Sequence, residues 1–158
     1  MAKKQDSDRR QSIVAAAFSV LMEKGYSGAS TLEIARRAQI SKRDLYAEFG
    51  SKAGILEALI TATSARMQVP LATADIRDRD TFRAALARYG EAALTELTSP
   101  HVIAINRLAA AEAGRSPELS RILDANGRES NRRALVALMA KGQQAGVLGP
   151  DRKSTRLN

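Results

Sequence analysis

The sequence predicts an all-α protein, with an N-terminal three-helix unit containing a helix-turn-helix and then an antiparallel helical bundle. Three observations carry that prediction. Apolar residues recur at helical spacing, as in Ile13, Ala17, Val20 and Leu21, and again in Phe82, Leu86, Tyr89, Ala93 and Leu97. Helix-start signals precede the periodic segments at Ser30, Ser41, Ser99-Pro100 and Ser116-Pro117. No segment shows the two-residue alternation of a half-buried strand.

Met1 to Asp6 is a polar arm carrying Lys3 and Lys4, expected to be disordered, with phosphate contact by the lysines as the alternative. The first helix is expected from Asp8 to Lys24, with Gly25 as a natural stop and Tyr26 to Ala29 as a loop. Ser30 followed by Glu33 reads as a capping box, in which each side chain satisfies a free N–H of the first turn. Leu32, Ile34, Ala35 and Ala38 then form an apolar stripe that breaks at Gln39-Ile40. Ser41 and Asp44 repeat the box with a shorter acid, and Leu45, Tyr46 and Phe49 give the next apolar face. Two capped helices this short need a supporting core, and their tight connection is that of a helix-turn-helix. The second begins Ser41-Lys42-Arg43. Positive charge there opposes the helix dipole, so local stability does not explain it, whereas a polyanionic partner does.

Downstream, a fourth helix is expected from Lys52 to Met67 around Ile55, Leu56, Leu59 and Ile60, with Pro70 ending any extension. Leu71 to Asp80 reads as loop, Thr81 to Thr98 as the fifth helix and Pro100 to Ala113 as the sixth. A long seventh helix follows from Pro117 to Ala145. Its Asn126-Gly127 interrupts the apolar run, and a mid-helix glycine costs about 1 kcal/mol against alanine. A kink, a close approach by a ligand or helix, and a plain solvent-facing glycine all fit that position.

IARRAQISKRDLYAEFGSK, within a region from about Arg9 to Ile60, resembles the DNA-binding signature of TetR-type (tetracycline-repressor-like) regulators. Gln39 stands where that family usually has a turn glycine, Glu48 where histidine is frequent, and Gly54 weakens the first turn of the next helix. The resemblance implies residues 1–50 as a DNA-binding domain and 51–149 as an effector-binding and dimerisation domain. It implies double-stranded operator DNA and a small-molecule effector as partners, no cofactor, and a repressor released by that effector. The candidate DNA contacts are Ser30, Thr31, Lys42, Arg43, Tyr46 and Lys52. Ser30 and Thr31 sit at a helix N-terminus suited to a phosphate, although capping alone would account for them. Arg43 is the favoured base reader, since its fork matches guanine O6 and N7, and Lys42 reaches a base or a phosphate. Tyr46 extends its hydroxyl to a phosphate over a buried ring, and Lys52 resembles the family's phosphate-contacting lysine. Arg9 and Arg10 are expected near the duplex backbone, and Arg36 and Arg37 on a solvated face. The candidate effector pocket is lined by Phe82, Tyr89, Ile103, Asn106 and Arg107, and His101 is expected at the surface.

The 158 residues suffice for one large domain or two small ones sharing a core, and the net charge of +8 favours nucleic acid or an anionic surface. There is no cysteine, which excludes disulfides and thiolate metal sites. No apolar run is long enough to span a membrane. One histidine, no HExxH and no glycine-rich phosphate loop argue against an enzyme. The alternative is a basic helical adaptor or membrane-surface protein, but the charge is spread and then concentrated at the candidate recognition helix. Residues 150–158 are expected to be non-native, since DRKSTRLN follows Gly149-Pro150 without periodicity and resembles a translated sequencing adapter. In the family the last two helices build the homodimer interface. The sequence stops where the first of them would begin, so only a weak dimer is expected.

Overall fold

A computed structural model describes residues 2–149, with side chains described from residue 8 onward. The tail at 150–158 and the side chains of Lys3 and Lys4 lie outside those residues. Among the described residues every regular element is helical: α1 (Ala2–Gly28), α2 (Thr31–Arg37), α3 (Lys42–Phe49), α4 (Lys52–Ala72), α5 (Arg79–Leu97), α6 (Pro100–Glu112), α7 (Pro117–Leu123), a π-helical turn (Asp124–Arg128) and α8 (Glu129–Gln144).

Serine and aspartate caps set most of the helix starts. Ser30 Oγ accepts the Glu33 N–H at 3.2 Å, Ser41 Oγ that of Asp44 at 3.0 Å, and Ser51 Oγ that of Gly54 at 3.0 Å. Such caps are each worth about 1 kcal/mol. The expected boxes at Ser30 and Ser41 are only half made. Glu33 turns its carboxylate to Arg36 and Arg37, and Asp44 turns to Arg9, because a nearby guanidinium outbids a neutral N–H for a carboxylate. The one reciprocal box is at Asp78 and Thr81, which starts α5 two residues before the expected Thr81.

Four expected boundaries are corrected. α1 begins at Ala2 and not at Asp8, so the helix runs through the expected N-terminal arm. α1 loses its helical path at Gly25 (φ 73°, ψ 171°), as a glycine stop requires, but the expected loop then winds one further turn through Tyr26 to Gly28. α4 runs through Pro70 to Ala72 instead of ending before it. A proline there removes its own N–H from the ladder and crowds the Arg66 carbonyl one turn back, close to the end of the helix. The final turn is held because Leu71 buries against Phe82, Ala85 and Leu138, and the Thr73 N–H reaches the Val69 carbonyl at 3.1 Å. The long seventh helix divides into α7, the π turn and α8. The π turn brings Gly127 into ordinary contact with α4, where an added Cβ would lie 3.6 Å from Ile60 Cγ2, and also onto the wall of a cavity between the helices. Its loosened carbonyls find partners, with Ser64 Oγ donating to Asn126 O at 2.8 Å and Asn131 Nδ2 to Gly127 O at 3.0 Å.

The main core joins α1 through α4 (Ile13, Val20, Leu21, Ile34, Leu45, Phe49, Ile55, Leu56) to Ala109 of α6 and to Leu119 and Ile122 of α7. Burial is therefore continuous across residue 50. A second cluster of Leu71, Phe82, Ala85 and Leu138 closes the far end. Leu32, expected in the apolar stripe, is 64% exposed, and Leu86 and Leu97 of the expected α5 face are exposed as well. Arg66 clamps α5 to α4, its Nε and Nη2 donating to the two oxygens of Glu96 at 2.6 and 2.8 Å.

Candidate nucleic-acid interface

α2 and α3 are joined by a turn whose geometry is set by backbone hydrogen bonds. Gln39 N–H reaches Arg36 O at 3.2 Å and Ile40 N–H reaches Ala35 O at 3.0 Å, with Gln39 at φ 55°. That pairing is the Schellman ending, which places its middle residue in the left-handed region where glycine is usual. At the other end of α3, Gly54 lets α4 begin close beneath it: an added Cβ would sit 2.0 Å from the Phe49 carbonyl oxygen. The first-turn weakness of Gly54 thus serves a close backbone approach.

Leu45 and Phe49 face inward, as expected, and fix the orientation of α3. α1 braces it from the side, with Arg9 lying 3.4 Å from Asp44 and Arg10 3.4 Å from Glu48 while stacking 4.6 Å above the Phe49 ring. These two arginines, expected near a duplex backbone, neutralise the acids of α3. On α2, Arg36 pairs with Glu33, and Arg37 with Glu23 and Glu33, so this face is an ion-pair network. The Arg37 hydrogen bond holds the Glu23 carboxyl below the usual carboxylate range.

Lys42 and Arg43 are exposed at the free end of α3, and among the described residues neither has a carboxylate partner. The Lys42 ammonium lies 5.6 Å over the Tyr46 ring. Tyr46 is 42% exposed and not buried as expected, because one residue on from Leu45 it points round the helix, away from the inward line of Leu45 and Phe49. The Tyr46 hydroxyl shares a 3.1 Å hydrogen bond with Thr31 Oγ1, gathering Thr31, Lys42 and Tyr46 at one edge. Ser30, also exposed, spends its hydroxyl on the α2 cap. Lys52 departs from the expected set: its ammonium donates to Tyr26 O at 2.5 Å and Ala29 O at 3.1 Å and lies 4.3 Å over the Tyr26 ring. A cation filling the carbonyl end of the Tyr26 turn has its charge engaged inside the protein.

A second candidate site lies between α4, α5, α6, the π turn and α8, as a cavity of about 720 Å³. Ile60, Met67, Ala93, Val102, Ile105 and Leu135 make most of its wall apolar, and Tyr89, Asn106 and Asn131 add polar groups. Burial raises the Tyr89 hydroxyl above the usual phenol range, so it is held as a neutral donor. Of the expected lining, Tyr89 and Asn106 are present. Phe82 is not, being packed in the second cluster against Gly142. Ile103 and Arg107 are not either. They share the opposite face of α6, a shallow groove with Met22 and Leu108, because residues four apart on a helix lie together. His101 is exposed, as expected, with its ring stacked 3.8 Å from Phe18. Reading the sequence missed Asn131 and the π-turn residues, whose signal was the Asn126-Gly127 interruption.

Residues 13–59 match the tetR family of bacterial regulatory proteins, and residues 84–153 match the C-terminal domain of AefR-like transcriptional repressors. Over 86 residues the chain is 30% identical to the HTH-type transcriptional regulator YdeS of Bacillus subtilis (strain 168), a match covering 54% of this chain and 43% of that protein. The chain thus aligns with less than half the length of this curated relative. Among solved structures it is similar to a TetR transcriptional regulator from Agrobacterium tumefaciens, at 28% identity and a TM-score of 0.69. It is also similar to the flavonoid-responsive regulator FrrA, at 28% identity and a TM-score of 0.67. Each of these likenesses covers 92% of this chain and 73% of the other.

Proposed function

The chain belongs to the tetR family of bacterial regulatory proteins, and on that premise we propose that it represses transcription by reading operator DNA with α3 and releases the DNA when a small molecule fills the cavity. The observation that carries the reading is the contrast among cations at this end. Arg9, Arg10, Arg36 and Arg37 are paired with carboxylates, whereas Lys42 and Arg43 stand exposed without such partners among the described residues. Positive groups left unpaired at a helix N-terminus suit a phosphate-lined groove. Arg43 reads a base edge, Lys42 a base or phosphate, and Thr31 and Tyr46 meet the backbone. Lys52 instead holds the Tyr26 turn beneath them. A twofold dimer would set two such helices about 34–36 Å apart on successive half-sites.

The cavity supports an uncharged, mainly apolar ligand. The charged residues on its wall are already neutralised, Arg128 by Asp124 at 2.5 Å and Arg132 by Glu129 at 2.7 Å. An ionised ligand would be desolvated there without an unpaired counter-charge. Tyr89 and Asn106 give a neutral ligand its orienting hydrogen bonds, and the flavonoid response of FrrA is in keeping with an aromatic molecule of this kind.

Anisotropy titrations with duplexes from the DNA flanking the gene test the reading. Arg43→Ala is expected to weaken specific binding by about 1–3 kcal/mol and to relax sequence choice. A change confined to the salt dependence would move Arg43 to the phosphate backbone. Equal affinity of the unaltered chain for every duplex would sink sequence-specific recognition.

A further inference from the structure

The buried carboxylate of Glu112 belongs neither to the DNA-facing edge nor to the cavity wall, and its surroundings are unusual. It ends α6, is 9% exposed, and has no cationic partner among the described residues. Its oxygens instead take neutral donors from the turn that follows the α1 break. Oε2 accepts the Ser27 N–H at 3.1 Å, the Ser27 hydroxyl at 2.7 Å and the Ser116 hydroxyl at 3.0 Å. Gly25 makes room for it, since an added Cβ would lie 2.5 Å from Glu112 Oε1. Ser116 occupies the N-cap position of α7 yet makes no side-chain cap; its hydroxyl donates to Glu112, with Ser27 Oγ 3.0 Å away. A helix start that forgoes its cap breaks a local rule, and such departures concentrate where something other than stability is being served.

The same turn is tied in two further directions. Tyr26 donates its hydroxyl to Glu118 of α7 at 2.7 Å, and Lys52, just after α3, holds the Tyr26 and Ala29 carbonyls. Meanwhile α6 presents Asn106, Ala109 and Ala110 to the cavity, as does Ala113, the residue that follows Glu112. A contiguous set of contacts therefore runs from the cavity wall through Glu112 to the Ser27 turn and on to Lys52, the first residue of α4, which follows α3 after two residues.

We propose that Glu112 is a positioning residue for DNA reading: its grip on the Ser27 turn holds the three-helix unit in one orientation, and a ligand that shifts the last turn of α6 loosens that grip. This rests on the cavity reading above and names how that site is coupled to α3. A ligand shifts an orientation only through its differential affinity for the two states, and here the difference is whether the Glu112 hydrogen bonds are intact.

The chain has no cysteine, so Ala47→Cys on α3 and Ala137→Cys on α8, both exposed, can carry the only two spin labels in the full chain. The probe is N-phenyl-1-naphthylamine, a neutral aromatic that fluoresces when sheltered from water. In otherwise unaltered protein, bound probe is expected to shift the distance distribution between the labels. Glu112→Gln, which keeps the size but loses the charge and one acceptor, is expected to show the shifted distribution without probe and to bind the probe more tightly than the unaltered chain, since the grip no longer has to be broken. Ser27→Ala is expected to move the distribution the same way by a smaller amount, and it serves alone if Glu112→Gln fails to fold. A purely structural role would lower thermal stability and leave the distances unchanged. Distances in both variants that coincide with those of the unaltered chain, with and without probe, overturn the proposal. So does a bound probe that moves nothing in the unaltered chain. Failure of the probe to bind at all counts first against the cavity, and the coupling falls with it.

Discussion

The two ends of the molecule are built on different principles. Around α3 the side chains are packed without slack: Ile13, Val20, Ile34 and Leu45 have no solvent exposure, and α1 braces the outer face with paired arginines. Around the cavity, α4 to α8 border about 720 Å³, a π turn interrupts one helix, and a small cluster packs behind Phe82. A reading head must hold fixed geometry against a duplex, whereas a sensor must retain space that a ligand can fill. The difference teaches where the molecule can yield. Strain introduced at the α3 end has nowhere to go, while added volume at the cavity end is absorbed.

Four substitutions sharpen or break that contrast. The largest effect is expected from Leu45→Ala, which empties a fully buried site and should destabilise the fold by about 2–5 kcal/mol in chemical denaturation. A loss below about 1 kcal/mol would show that the α3 end relaxes as readily as the other. Next is Gly142→Ala, whose Cβ would meet the Phe82 ring at 2.9 Å. Overpacking there should cost about 1–3 kcal/mol, and a neutral result would extend the slack of the cavity to the second cluster. Gln39→Gly acts the other way. It relieves a left-handed side-chain residue, and after the added freedom of the unfolded chain it should raise stability by about 0.5–1 kcal/mol. The smallest effect is expected from Ala110→Leu, which projects into open space. Its melting temperature should match that of the unaltered chain while ligand or probe affinity falls, and a marked drop in melting temperature would mean that the wall is rigid after all.

What the sequence made legible follows the same division. Around α2 and α3, the order of serine caps, apolar stripe and inward Leu45 and Phe49 is local information, carried by spacings of three and four residues. The all-α class and the helix count up to α6 follow from the same periodicity. The fate of Lys52 was not legible, because the carbonyls it meets lie more than 20 residues earlier and converge only once Gly25 has turned the chain. Pro70 misled for a related reason: its effect on a helix is local, but burial of Leu71 in a distant cluster outweighs it. The cavity was half legible. Periodicity placed Tyr89 and Asn106 on helices, yet it could not say which side of α6 faces inward, and so Ile103 and Arg107 fell on the wrong one. The use of Glu112 was not legible, because it depends on a turn 85 residues away.

The Arg66–Glu96 clamp has a mechanical consequence. Two-point attachment resists twisting as well as separation, so the pair fixes the angle at which α5 lies along α4 on this flank of the cavity, while solvent at the exposed Arg66 keeps its contribution small.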